Sequence, residues 1–185
     1  MPKQVDHEAR KRRIADAVCR LAGTRGLEAV SLRHVATEAG VSMGQVQHYF
    51  ATKDEMLLFA FAVISERYEQ RIAAAVTSKR TPRTRLRALL LAMLPLDDAG
   101  LAEGPVLLAF LARAAVAAEI AAPLRESGAG MRAFLAEMVG STPDAEREAV
   151  ILQALVDGLL SQLLVGHIDA RTAIAAVDHQ LDRVC

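Results

Sequence analysis

A chain of 185 residues has room for one large or two small domains with a buried core. Hydrophobic residues make up 52% of it while aromatics reach only 4% and tryptophan is absent, so alanine and leucine dominate, a composition of helices rather than sheets. The 22 Lys+Arg balance 22 Asp+Glu, which excludes a uniformly basic polyanion binder, and two cysteines, Cys19 and Cys185, exclude a disulfide framework and fit a reducing, cytoplasmic setting.

No signal peptide is expected, because MPKQVDHEARKRR at the start carries no apolar run after its charges. The pattern predicts a first helix over about Asp6 to Arg25, with Ile14, Ala17, Val18, Leu21 and Ala22 at i, i+3, i+4, i+7 and i+8, ended by Gly26. The basic run Arg10 to Arg13 precedes that stripe. It is either a solvated face or a contact to phosphates flanking a groove, and its place next to the following segment favours contact. Cys19, inside the helical pattern, reads as a small buried thiol.

The stretch SLRHVATEAGVSMGQVQHYFATKDEML, Ser31 to Leu57, carries the strongest functional signal. Ser31 is placed to cap a helix over Leu32 to Ala39, whose Leu32, Val35, Ala36 and Ala39 share one face, and Gly40 supplies the turn that ends it. Ser42 and Gln45 form an S-x-x-Q capping box for a second helix, Met43 to Phe50, which needs to bury only Val46 and Phe50. Gln45, Gln47, His48 and Tyr49 are left on its other face, able to meet base edges or phosphates. Two helices joined by a glycine turn, with such a free face, form a helix-turn-helix. Thr52-Lys53-Asp54-Glu55 is a further capping box that opens a long helix, and a lysine in a helix's first turn opposes the helix dipole unless an anion such as a phosphate lies beyond it.

These residues resemble the TetR family of bacterial transcriptional repressors. The likeness rests on AVCRLAGTRGLEAVSLRHVA, Ala17 to Ala36, and on AxxAGVSxGxVxxYFxxKDEML, Ala36 to Leu57, the first third of the chain. One departure is Gln47, where the family often has a tyrosine; a phosphate contact there gives way to base reading. The expectation is therefore an all-α fold with a three-helix DNA-binding domain at 1–52 and a helical effector-binding and dimerisation domain at 53–185. The DNA-binding residues expected are Arg33, Ser42, Met43, Gly44, Gln45, Gln47, His48, Tyr49 and Lys53. Ser42 with the Met43 and Gly44 amides takes a phosphate, Gln45, Gln47 and His48 read bases, and Tyr49 and Lys53 hold phosphates. Charge agrees with this polarity: residues 1–53 hold 9 Lys+Arg against 5 Asp+Glu, net +4, and residues 54–185 hold 13 against 17, net −4.

Past Lys53 the spacing predicts a fourth helix to about Val76, a break at TSKRTPRTR, and a fifth helix from Thr81-Pro82 to about Leu94. Gly104-Pro105 reads as the start of another helix, Pro123 as a boundary near a seventh, and Ser141-Thr142-Pro143-Asp144 as a strong start for a helix to about Val165. That last helix, with VILQALVDGLLSQLLV, is apolar nearly all round, so one side is expected to face the core and the other a partner chain. A final helix from Ala170 to about Arg183 brings the total to about nine. Arg113 and Glu119, or Gln153, Asp157 and Gln162, interrupt the longest apolar stretches, so no membrane span is expected.

The resemblance implies a homodimer on a palindromic double-stranded DNA operator, released when a small-molecule effector enters the second domain and shifts the fourth helix. Lining candidates are Phe59, Ile64, Leu90, Met93, Leu94, Phe110, Arg113, Phe134, Met138 and Gln153, each competing with ordinary core packing. Arg113 is placed either to meet an anionic ligand group or to pair with Glu119 or another carboxylate. An enzyme is the contrary class, but the five histidines lack H-x-x-x-H or H-E-x-x-H spacing, and no phosphate loop or G-x-S-x-G occurs. No metal or cofactor is therefore expected. The alternative kept open is a helical protein-interaction or small-molecule-binding module without sequence-specific DNA binding, which added salt would leave unaffected.

Overall fold

The computed structural model describes residues 2–79, 81–140 and 143–184, with side chains from residue 7 onward. Among them are nine α-helices, one short 3₁₀ turn and no strand. The helices are α1 (Pro2–Arg25), α2 (Leu32–Ala39), α3 (Met43–Tyr49), α4 (Lys53–Thr77), α5 (Pro82–Ala92), α6 (Asp98–Ala114), α7 (Ala118–Val139), α8 (Ala145–Leu164) and α9 (Ala170–Val184); the 3₁₀ turn is Leu27–Ala29. The chain divides into a first unit of residues 1–67 with 102–120 and a second of 68–101 with 121–185. In the backbone, α4 runs from the first unit into the second as one uninterrupted helix.

In the first unit α1 packs on α2 and α2 on α3. The predicted stripe of α1 is buried, Ile14, Ala17 and Val18 at 1% exposure or less, because it lies against the apolar faces of these short helices. Gly26 ends α1 with φ +76°, a conformation that side-chain-bearing residues rarely adopt. Cys19 is half-buried, and burial pushes its thiol up to about 12. Such a thiol stays protonated and inert at neutral pH, in keeping with a packing role. Arg67 on α4 donates to Asp16 at 2.5 Å and lies 3.9 Å from Glu103 on α6. Arg113 approaches Asp54, 4.0 Å away, rather than Glu119.

In the second unit α9 packs against both α5 and α8. Thr81 caps α5 by accepting from the Thr84 amide, with Pro82 at the first helical position, as the local sequence predicts. Arg83 and Arg87, one turn apart on α5, pair with Asp182 and Asp178, one turn apart on α9, an antiparallel register of two ion pairs. Tyr68 donates its hydroxyl to the Met93 carbonyl at 2.6 Å.

Two helix boundaries differ from expectation, both through proline. Helix α6 starts seven residues before Pro105, where Asp97 Oδ1 accepts from the Gly100 amide at 2.7 Å. Gly100 is needed there, since a Cβ would lie 2.8 Å from Pro95 Cα. Pro105 is thus carried inside the helix, and α7 likewise runs through Pro123 and through Gly128 and Gly130. Proline removes one helical donor, and flanking turns supported by packing carry the helix past it. The expected cap at Ser141 and Thr142 lies outside the described residues. Asp144 makes no side-chain cap; its carboxylate instead accepts from Arg147 at 2.6 Å, and α8 begins at Ala145.

Candidate nucleic-acid interface

Local rules build the two helices and their turn almost completely. The Ser31 hydroxyl accepts from the His34 amide at 3.2 Å to start α2, and Gly40, at φ +65°, ends it in the left-handed region. The one atom near a Cβ at Gly40 would be the movable Arg13 Nη2 at 3.1 Å, so the glycine is required there by conformation rather than by space. Ser42 then starts α3 with both halves of the capping box in place: its hydroxyl accepts from the Gln45 amide at 3.2 Å, and Gln45 Oε1 accepts from the Ser42 amide at 3.0 Å.

Helix α3 buries Val46 completely, with Phe50 at its C-cap 1% exposed, and leaves Met43, Gly44, Gln45, Gln47 and His48 exposed and Tyr49 half-buried. Met43, although apolar, is 46% exposed. The polar face predicted for α3 is therefore outside the core. Gln47 makes no hydrogen bond among the described residues, whereas Gln45 commits its amide oxygen to the cap and keeps its NH₂ donors for another partner. Arg33, in the first turn of α2, is exposed. At Gly44 a Cβ would meet nothing nearer than Ser42 Oγ at 4.0 Å, so nothing inside the chain excludes a side chain there.

Lys53 is the exception to a free surface. Its ammonium donates to the Leu27 carbonyl at 3.1 Å in a part-buried contact, leaving two further N–H donors. The helix it opens is capped by Thr52, whose hydroxyl accepts from the Glu55 amide at 3.1 Å, while the Glu55 carboxylate reaches back to the Ala51 amide at 2.8 Å. The basic run on α1 is mostly occupied as well. Lys11 sits over the Phe59 and Phe50 rings, 4.6 and 5.6 Å from their centroids, and Arg12 bridges to Glu66 at 2.7 Å. Sequence order could not show these partners, which lie on helices far along the chain.

The candidate effector residues fall into both units. Ile64 and Phe110 are core residues of the first, where Phe110 packs on Phe61 and Phe59 packs on Phe50. Leu90, Met93 and Leu94 are core residues of the second, while Phe134 and Met138 are half-buried on α7. Gln153 on α8 accepts from Arg132 at 3.3 Å, a partner that the sequence reading missed because nothing in a lone exposed arginine signals it. Gly128 lies beneath this pair, where a Cβ would stand 3.7 Å from Gln153 Nε2.

The family described as "Bacterial regulatory proteins, tetR family" matches residues 14–59, and "BetI-type transcriptional repressor, C-terminal" matches residues 82–185. The chain belongs to the TetR family. The HTH-type transcriptional regulator PksA of Bacillus subtilis (strain 168) is 36% identical over 165 residues, covering 86% of this chain and 80% of PksA. A transcriptional regulator from Rhodococcus sp. Rha1 superposes with a TM-score of 0.88 at 35% identity, over 94% of this chain and 95% of its own. A regulator from Saccharomonospora viridis, solved in complex with choline, gives 0.78 at 27% identity over 96% and 93% of the two chains. As a TetR-family member the chain is a DNA-binding transcriptional repressor, with the helix-turn-helix at its N-terminus and a helical C-terminal domain. Among the described residues no helix is long and apolar enough to cross a membrane.

Proposed function

We infer that this repressor works in the cytoplasm as a homodimer on a palindromic operator and leaves it when a small-molecule effector binds. The observation that carries the operator reading is the exposed polar flank of α3, with Gln47 unengaged beside His48. Gln47 has both parts of a bidentate adenine contact available, Gln45 contributes its NH₂ donors, and His48 adds a third base-edge contact. Ser42, the Met43 and Gly44 amides, Arg33, Tyr49 and the remaining Lys53 donors serve phosphates. The functional boundary in this reading falls at residues 52 and 53, the start of α4.

Helix α8 supports the dimer. Its core side buries Leu152, Val156 and Leu159, yet Val150, Ile151 and Val165 stand 53%, 41% and 62% exposed, an apolar surface suited to a second copy of this chain. Two readers related by a two-fold axis reach successive major-groove turns about 34 Å apart, and linking them raises affinity through effective concentration.

In this reading the effector site lies in the second unit, around Phe134, Met138 and Gln153. An organic cation is the first class to screen, because the Saccharomonospora regulator is seen with choline. Glu148, on the same helix as Gln153, carries a buried carboxylate oxygen with no hydrogen-bond partner among the described residues, an acceptor to be tested together with that class. Effector binding acts through α4, whose residues 53–67 belong to one unit and 68–77 to the other, provided the ligand prefers the DNA-incompetent state. The test is to select bound duplexes from a randomised pool and screen compounds, choline and its analogues first, for release of the winner. Failure to enrich any sequence removes the operator reading, and enrichment without release by any compound removes the effector reading.

A further inference from the structure

Outside the groups already assigned, one cluster of chemistry-bearing side chains adjoins the reader. His7, on the first turns of α1, packs its ring edge-on to Tyr49 with centroids 4.6 Å apart and planes at 73°. It also lies 6.3 Å from His48 at 71°, and His48 and Tyr49 are 5.3 Å apart at 71°. Three rings, each T-shaped to the other two, thus join α1 to the C-terminal end of α3. The positive edge of one ring meets the negative face of the next, which is the favoured geometry for such pairs.

One turn further along α1, Lys11 rests over Phe50 and Phe59. Helix α1 therefore grips the end of the reader at two successive turns, through rings at His7 and a cation at Lys11. His7 is exposed, so burial of apolar area does not account for its position; what it contacts is the pair of side chains proposed to meet the duplex.

We propose that His7 is a positioning residue for DNA recognition: it contacts no nucleotide, but holds the Tyr49 and His48 rings in the orientation in which they meet DNA. This rests on the reading of His48 and Tyr49 as DNA contacts. A free tyrosine or histidine on an exposed helix end samples several rotamers, and freezing them on binding opposes association. Packing against His7 restricts them before the duplex arrives. The role belongs to the ring and not to its charge, which separates it from a phosphate-binding cation.

The experiment uses the full chain and the duplex selected from a randomised pool, with unselected duplex as control, measured over a salt series. His7→Ala should weaken binding to the selected duplex about three- to tenfold. His7→Phe, which restores a ring without ionisable nitrogen, should return within about twofold of wild type, and neither variant should change the slope of log affinity against log salt. In the free protein, His7→Ala should move the His48 and Tyr49 ring resonances, with His7→Phe reversing most of the shift. Unaltered affinity in His7→Ala overturns the proposal. So does a slope lower by about one that His7→Lys restores and His7→Phe does not, which marks a direct phosphate contact. Ring resonances that move while affinity stays constant would show packing without a role in recognition. A wild-type chain that binds no duplex at all would instead remove the DNA reading of α3, and the role of His7 with it.

Discussion

Lys53 Nζ donates to the Leu27 carbonyl at 3.1 Å, tying the first residue of α4 to the 3₁₀ turn that follows α1. This bond gives the lysine at the start of α4 an internal reason to be there, besides any phosphate beyond it. Lys53→Ala is expected to lower stability by about 0.5 to 1 kcal/mol, because the Leu27 carbonyl loses the lysine's bond but keeps the one from the Val30 amide at 3.1 Å. It should also weaken selected and random duplexes alike and reduce the salt slope by about one. Thermal unfolding and a salt titration separate the two effects, and an unchanged slope would leave Lys53 with the structural role alone.

Gln45 and Gln47 differ in what they already hold. Changing either to Ala should cost about 1 to 3 kcal/mol on the selected duplex and little on random DNA. Only Gln45→Ala should also destabilise the free protein, by about 0.5 to 1 kcal/mol through loss of the capping box. Equal losses on both duplexes for both variants would remove the base-reading assignment.

Gly44 tests whether an outside surface approaches α3 closely. Since its Cβ position is open within the chain, Gly44→Ala should leave the melting temperature equal or slightly raised, alanine being the better helix former. Binding to both duplexes should fall at least about tenfold if the DNA backbone comes within van der Waals range of that position. A variant that binds like wild type would place the backbone elsewhere.

The exposed side of α8 predicts a change of oligomeric state. A Val150→Glu and Ile151→Glu double variant should sediment as a monomer with its helix content retained, and its operator affinity should drop more than about tenfold. A monomer of undiminished affinity, or a dimer that persists, would contradict the proposed pairing.

Arg87 meets Asp178 with two bonds, Nε to Oδ1 at 2.5 Å and Nη2 to Oδ2 at 3.0 Å, and the arginine's hydrogen bonds hold the Asp178 carboxyl below its ordinary value of 3.8. A carboxyl held down in the folded state contributes stability that is present above its unfolded value and lost as pH falls through the folded one. The pair is about one third exposed on each side, so it is worth only about 0.5 to 1 kcal/mol. Asp178→Asn should accordingly melt below wild type at neutral pH, with the gap closing as the pH drops below about 4. A gap that stays constant across that range would assign the difference to packing.

Much of what depends on neighbours within four residues was legible in the sequence, although the Asp97 bond to the Gly100 amide at the start of α6 was not. The caps at Ser31, Ser42, Thr52 and Thr81 and the turn at Gly40 follow from bonds that span a single turn, and the inward side of Val46 and Phe50 from their i, i+4 spacing. These rules produce the helix-turn-helix and its exposed polar side without help from the rest of the chain. That α8 carries apolar residues beyond its core side was legible as well, since its apolar positions run nearly all round the helix. Tertiary structure decided the partners separated by long stretches of chain: Leu27 for Lys53, Phe59 for Lys11, Tyr49 for His7, Asp178 for Arg87 and Gln153 for Arg132. It also decided that α6 and α7 continue through Pro105 and Pro123. The cause is common to both groups of results: periodicity states which side of a helix is buried, but only packing in three dimensions states against what, and that packing is able to override a local helix breaker.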